Sequence, residues 1–490
     1  MDEQRRVVPF SRRRFLSGAA TLAGAALLAA CGSGTGETGG AATTAPKPAG
    51  TTAPAAGATT APATSGSAAA PTTAAAAGAT PQADLTIASG KFNVWFSANW
   101  NTVTDEAVGN TFVDWGKQNG VTVQWQSIPG SPIILQKEAA AVAAGQPPEL
   151  DNNNVTYWYT QGEMGDLGAT VNKFKAMAGG MFPIGISSLT APDGTVIAAP
   201  YAIDVWPAHW RSDLIGAKTG GRFFNSYDEV LSLGPSIQQL PKNYTYAMAL
   251  GHEGDHVNNL VTIMWAYGGR LNDEKGVPDI TNPANKAAIE MVVNMWKAKL
   301  IPPETFAQTV TSWNNETFQK SRGLMAVNPA TIMGWLLVND KELGNNTGLA
   351  TPPKGPAGGF AEGAALGFGY FKKAKLVDRT VSALEYFMQP PNLLKISKAV
   401  EGRFVPVYQD HATGDFWDKS KFAELKNIAQ VGRVRNWPAP SQPWLSDVTD
   451  AKYVLSDMMN KVINQNMAIE DAQAAAQKDM MDSYNKFVKK

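Results

Sequence analysis

Apolar and polar positions alternate along Lys91-Phe92-Asn93-Val94-Trp95-Phe96, which predicts a first strand with Ser97–Asn101 as its exit loop. Val108, Phe112 and Trp115 follow at helical spacing, and Val121–Trp125 alternates again as a second strand. Residues 131–144 predict a helix, closed by Gly145 and the breaker Pro147-Pro148. Glu149-Leu150 opens a third strand, and the polar loop Asp151–Thr156 ends it. Strands alternating with helices imply right-handed βαβ units and a mainly parallel sheet. Ligands of such sheets sit beyond the carboxyl ends of the strands. That puts Trp100 and Asn101, then Asn152, Asn153, Asn154 and Trp158, at one rim.

The middle of the chain carries the next signal. Asp193-Gly194 is a turn pair, and the apolar run Val196–Ala199 after it predicts a buried strand. Pro200 has no N–H to give, so no central ladder is expected to continue through it. From Tyr201 the pattern is extended, with Ile203 and Val205 on one side and Asp204 and Trp206 on the other. A carboxylate and an indole on one face of an interrupted strand suit a cleft wall better than a core. Further on, Ser226–Leu233 predicts a helix and Tyr244–Leu250 a strand. Asp255 is placed to cap a helix running to Tyr267, and Asn282-Pro283 to start another, with Ala288, Met291, Val292, Met295 and Trp296 on one stripe.

Several of these stretches, in this order, resemble the extracellular solute-binding proteins of ABC importers, family 1, the maltose-binding-protein type. The motifs are A-A-G-Q-P-P-E-L (Ala143–Leu150), D-G-T-V-I-A-A-P followed by W-R-S-D-L (Asp193–Leu214), and W-A-Y-G-G-R-L-N-D with T-N-P-A-N-K-A-A-I-E (Trp265–Glu290). They continue with F-Q-K-S-R-G-L-M-A-V-N-P (Phe318–Pro329), in which Arg322 and Gly323 stand swapped against the usual pattern. Leu376–Gln389 with Pro390-Pro391 resembles the family's helix and stop, and Arg403–Val407 a segment leading into a crossing between lobes. The proline-aromatic loop Trp437–Trp444 and a last helix, Ile469–Phe487, close the series, so the resemblance covers about Phe92 to Lys486. It implies an α/β, two-lobed periplasmic-binding-protein-like fold of type II. Each lobe would be a mainly parallel sheet flanked by helices, with three inter-lobe crossings. The expected division is residues 85–203 with 362–410 in the N-terminal lobe, and 204–361 with 411–490 in the C-terminal lobe.

The N-terminus is an address. Arg12-Arg13-Arg14 precedes the apolar segment Phe15–Ala30, and Ser11–Leu16 resembles a twin-arginine export signal. Leu28-Ala29-Ala30-Cys31-Gly32 resembles a lipoprotein cleavage box, with residues 1–30 as signal peptide and Cys31 as the lipidated first residue. The apolar segment falls short of the roughly 20 residues a membrane-spanning helix needs. Cys31 is the only cysteine, so no intramolecular disulfide and no cysteine-based metal site can form. Residues 31–84, rich in Ala, Thr and Pro and nearly without charge, cannot bury enough apolar surface to fold and read as a disordered, extended tether. The acyl chains would hold the protein at the outer face of the cytoplasmic membrane, on the periplasmic or extracellular side.

What remains after Asp84 exceeds one ordinary core, in keeping with two lobes. Forty-two basic and 42 acidic residues cancel, and no basic run follows residue 14, which argues against nucleic acid and strongly anionic cargo. Fourteen tryptophans are more than a core needs. A pyranose offers an apolar C–H face on which indoles stack and a ring of hydroxyls that planar polar groups bind. Candidate flat faces are Trp100, Trp158, Trp206, Trp335 and Trp444, each equally readable as core packing. Candidate polar partners are Asn101, Asn153, Asp204, His256, Asn258, Glu362 and Arg403. These point to capture of a carbohydrate, an oligosaccharide, by hinge closure of a monomer, with no cofactor and no catalysis. The resemblance adds delivery to permease subunits. A peptide or polyol in the same role stays open. So does a zinc-dependent hydrolase, since His252-Glu253-Gly254-Asp255-His256 spells H-E-x-x-H. Against it, Gly251 and Gly254 weaken a helix there, and a third ligand would have to be Glu274 or an Asp. Asp204 and Glu362 could converge as a glycosidase pair, but nothing in the sequence sets their spacing.

Overall fold

A computed structural model describes residues 88–99, 101–128 and 132–488. The arginine-rich start, Cys31, the tether and Trp100 lie outside them. The described strands are β1 (Phe92–Ser97), β2 (Val123–Ile128), β3 (Leu150–Asp151), β4 (Ala199–Val205), β5 (Ala208–Arg211), β6 (Tyr244–Tyr246), β7 (Gly323–Val327), β8 (Thr347–Ala350), β9 (Ala361–Tyr370), β10 (Val405–Pro406) and β11 (Gly432–Arg433). One sheet has the order β10-β4-β9-β3-β1-β2 with β11 also on β9, and the other has the order β6-β7-β5-β8.

The first lobe starts as the alternation predicts. Helix Thr102–Asn119 buries Val108, Phe112 and Trp115. The Asn101 side chain caps it by accepting from the Thr104 amide at 2.7 Å, and Gly120 ends it in the left-handed region. Gly109 is required where this helix meets the sheet, because a Cβ there would lie 2.3 Å from the Trp125 ring. Phe112 stacks on Phe387 at 4.5 Å, with Phe368 edge-on to both.

Strands β1, β2 and β3 are parallel, as expected, but β9 runs antiparallel to both β3 and β4, so the sheet is mixed. β4 leaves this lobe in the direction of β1–β3, whereas β9 arrives from the other lobe and so runs against it. Pro200 corrects an expectation: it lies inside β4, a central strand, rather than ending it. The ladder to β9 shifts register between Pro200 and Ala202, so the missing N–H falls at an irregularity.

The second core is built under β6-β7-β5-β8 by helices Tyr227–Ile237, His256–Ala266, Pro283–Lys297, Val454–Ile463 and Ile469–Val488. Asn282 caps the third of these from its side chain, with Pro283 in its first turn. Helix Thr380–Phe387 stops just before Pro390 and Pro391, as expected, and the two prolines open the next helix, Pro390–Ala399, where a missing N–H costs nothing.

The third crossing comes later than Arg403–Val407. β10 turns back to pair antiparallel with β4, and Trp417, Phe422, Leu425 and Ile428 still pack in the first core. Only at β11 does the chain pass alongside β9, with Gly432 opposite Ala361 and Arg433 opposite Glu362. From Trp444 on, its buried residues belong to the second core.

Candidate functional site

Three strands lie side by side where the lobes join: β4, β9 and β11. Their ladder pairs Val205 with Gly363 and Asp204 with Ala364, and the Trp206 amide donates to the Glu362 carbonyl at 2.9 Å. Alternation along the strands then sorts the side chains. Ile203, Val205 and Ala365 face the first core. Asp204, Trp206, Glu362 and Arg433 share the opposite face.

Both carboxylates on that face are held by arginine. Arg403 makes a two-pronged bond to Asp204, its Nη2 donating to Oδ2 at 2.7 Å. Arg435 Nε donates to Glu362 Oε1 at 2.9 Å, and its Nη2 donates to Asn258 Oδ1 at 2.7 Å. Arg435 thereby ties β9 to the first turn of helix His256–Ala266 in the second lobe. Burial pushes the Glu362 carboxyl above its ordinary range, with Arg435 pulling against the shift.

The second lobe brings its own polar groups to the carboxyl ends of the parallel pair β6 and β7. Asn328, just after β7, donates from Nδ2 to Asn314 Oδ1 at 3.0 Å, to Asp255 Oδ2 at 3.4 Å and to Asn315. Asp255 occupies the expected capping position, yet its side chain does not cap the helix; it faces Asn328 and Asn258 instead. Several buried polar atoms around this junction have no hydrogen-bond partner among the described residues: Trp206 Nε1, Glu362 Oε2, His256 Nε2, Glu253 Oε1 and Asn314 Nδ2. Such orphans are costly unless something meets them. A polyhydroxylated ligand carries both the donors and the acceptors that such groups lack.

Of the residues expected at the site, Asp204, Trp206, Asn258, Glu362 and Arg403 come together here, and buried His256 adjoins them. Asn101 serves as a helix cap, and Asn153 is buried and bonded to Asp151. Trp335 lies half-buried against a small core with Phe318 and Leu336. Two tryptophans proposed for the rim are core. Trp158 is 4% exposed, its Nε1 given to Glu138, and Trp444 is fully buried, donating to the Gly276 carbonyl at 3.0 Å. Arg433, Arg435, Asp255 and Asn328 were not anticipated. G-R-V-R-N-W (Gly432–Trp437) did carry a signal for the two arginines, since charges two apart share a face of an extended chain.

The H-E-x-x-H stretch does not form a zinc helix. The helix starts at His256, so His252 is in the preceding loop, exposed and bonded through Nε2 to Asp457 at 2.7 Å. Both imidazoles pack against Tyr453, and His256 Nδ1 donates to the Glu253 carbonyl. Asp204 and Glu362 do share a face, and each accepts from an arginine.

Comparison with solved structures gives the architecture its context. The maltose-bound MalE3 of T. maritima aligns over 79% of this chain and 98% of its own, with TM-score 0.62 and 18% identity. A sugar transporter from Arthrobacter chlorophenolicus, solved with laminaribiose, aligns over 80% and 99% (TM-score 0.63, 16% identity). An ABC transporter solute-binding protein from Agrobacterium radiobacter, solved with ribitol, aligns over 80% and 98% (TM-score 0.63, 15% identity). The fold is that of the two-lobed solute-binding proteins. No family model and no curated protein matches the chain. In the solute-binding fold so defined, β4, β9 and β11 are the crossings between lobes.

The buried acids at the junction predict a pH effect. Burial pushes Glu253 up to about 8, helped by Asp255, and Asp255 itself up to about 7. Burial pushes His256 down to about 4 and His209 down to about 3. The carboxyls hold protons more tightly when folded, so they lose stability as pH rises through their folded values. The histidines lose stability as pH falls through their unfolded value. From about pH 4.5 to 6.5 the two pairs oppose each other. Above that the histidines no longer count, and Glu253 and Asp255 together should contribute a fall of about 2–3 kcal/mol up to roughly pH 8.5. Denaturant titrations at both ends of that window measure the fall, and Glu253→Gln should remove the larger part of it.

Proposed function

We propose that the protein is the substrate-binding component of an ABC importer, capturing a carbohydrate between its lobes and delivering it to membrane permease subunits. The observation that carries this is the three-strand junction, where polar groups of both lobes and of the crossings meet with buried donors and acceptors left over. The sugar-binding proteins that share the fold support the same reading. Capture needs no bond to break. The lobes close by a hinge at β4, β9 and β11, and closure is favoured only by contacts the ligand makes with both lobes at once. The lobes already touch at Thr156 Oγ1 with Ser441 Oγ (3.2 Å) and at Lys421 Nζ with the Asn345 carbonyl (2.7 Å).

The protein acts as a monomer, exported and held by acyl chains on Cys31 at the outer face of the cytoplasmic membrane. Among the described residues no helix is long and apolar enough to cross a membrane. The test is a thermal shift of the full chain against mono- and oligosaccharides, with polyols in the panel. A ligand at 100 times its dissociation constant should add about 2.7 kcal/mol to stability. A rise with one sugar, lost in Asp204→Ala, supports the reading; silence across the whole panel sinks it.

A further inference from the structure

Arg433 stands apart from the other arginines. Of the eight among the described residues, seven have a carboxylate partner, and Arg433 has none. Its guanidinium carbon lies 3.3 Å from the ring centre of Phe360 and 3.6 Å from that of Trp437. Both flat faces of the group are therefore covered, and its N–H edge is what remains for a partner. Burial without a countercharge pushes its pKa down to about 10. The two rings come from different crossings: Phe360 directly precedes β9, and Trp437 follows β11.

The surroundings define the missing partner. On the same face Asp204 is matched by Arg403 and Glu362 by Arg435, which also lies 3.8 Å from Asp450, so both strand carboxylates are engaged and Arg433 is the guanidinium left without a partner. A guanidinium fixed in plane with a free edge receives a planar anion in two-pronged geometry. A carboxylate fits that description better than a phosphate, whose second charge would meet Glu362 and Asp204 with a single cation to offset it.

We propose that Arg433 is the anion-recognising residue of the site, and that the ligand is an acidic saccharide carrying a carboxylate on its ring. The inference rests on the carbohydrate reading above and narrows it. One charge at one edge is compatible with a chain of zero net charge, since the recognition is local.

The experiment is calorimetric titration of the full chain with di- and trisaccharides that carry a single galacturonate or glucuronate residue, each beside its neutral galactose or glucose counterpart. The expected result is that one acidic sugar binds at least about tenfold more tightly than its neutral counterpart. In Arg433→Gln that ratio should collapse toward one, and in Arg433→Lys, which keeps the charge but not the planar fork, part of it should return. The ratio should also shrink with added salt. Circular dichroism and melting confirm that both variants fold, which is expected because Arg433 holds no buried ion pair. Equal binding of acidic and neutral sugars, or a ratio that Arg433→Gln does not change, overturns the inference and leaves the carbohydrate reading standing. Failure of every sugar, acidic and neutral, brings down both.

Discussion

Replacing Arg435 with methionine is expected to cost about 3–5 kcal/mol of stability. Methionine refills much of the aliphatic stem but leaves Glu362, 4% exposed at the middle of the junction, without its countercharge. It also removes the donor to Asn258 that ties β9 to the second lobe. Chemical denaturation measures the loss. Its cause is separable, because Glu362→Gln introduced into the same chain removes the stranded charge and should recover a large share of the stability. A double variant no more stable than Arg435→Met alone would show that the arginine acts by packing and not by pairing. Closure should suffer as well: with β9 no longer tied to helix His256–Ala266, saccharide affinity should fall in both variants.

Trp444→Ala is expected to cost about 3–5 kcal/mol as well, for a different reason. The indole is fully buried, packs edge-on to Tyr484 and spends its N–H on the Gly276 carbonyl. Removing it opens a cavity in the second core and orphans that carbonyl. The protein that remains folded should bind sugar as before. Unchanged stability with lost affinity would return Trp444 to the ligand site and contradict its burial.

Trp444 also shows what a sequence can and cannot say. Period and spacing were enough for the first strands, the helices and the crossing at Asp204, because burial imposes a pattern that composition preserves. They were enough for Asp204 and Trp206, whose shared face follows from alternation alone. They could not sort rim tryptophans from core ones. Trp158 and Trp444 are flanked by polar and proline-rich residues, and their burial is decided by helices and loops remote in sequence. Arg435 escaped for the same reason, since its partners, Glu362 and Asn258, lie far upstream. The position of the last crossing was misjudged because β10 turns back on β4, a return that depends on a strand pair two hundred residues apart. Pro200 was misplaced by a rule with an exception, the irregular ladder.

The late crossing at β11 has one more consequence, for the order in which the molecule assembles. Every fully buried residue of the first core has been synthesised once the chain reaches Ala429, whereas the second core still lacks Trp444, Leu455, Met459 and Met480. A nascent chain therefore completes one half of the molecule while the other is still missing helices from its interior. Helix Ile469–Val488 arrives after the other helices of this core, and a chain stopped short of it would carry an unfinished apolar surface on an otherwise folded body.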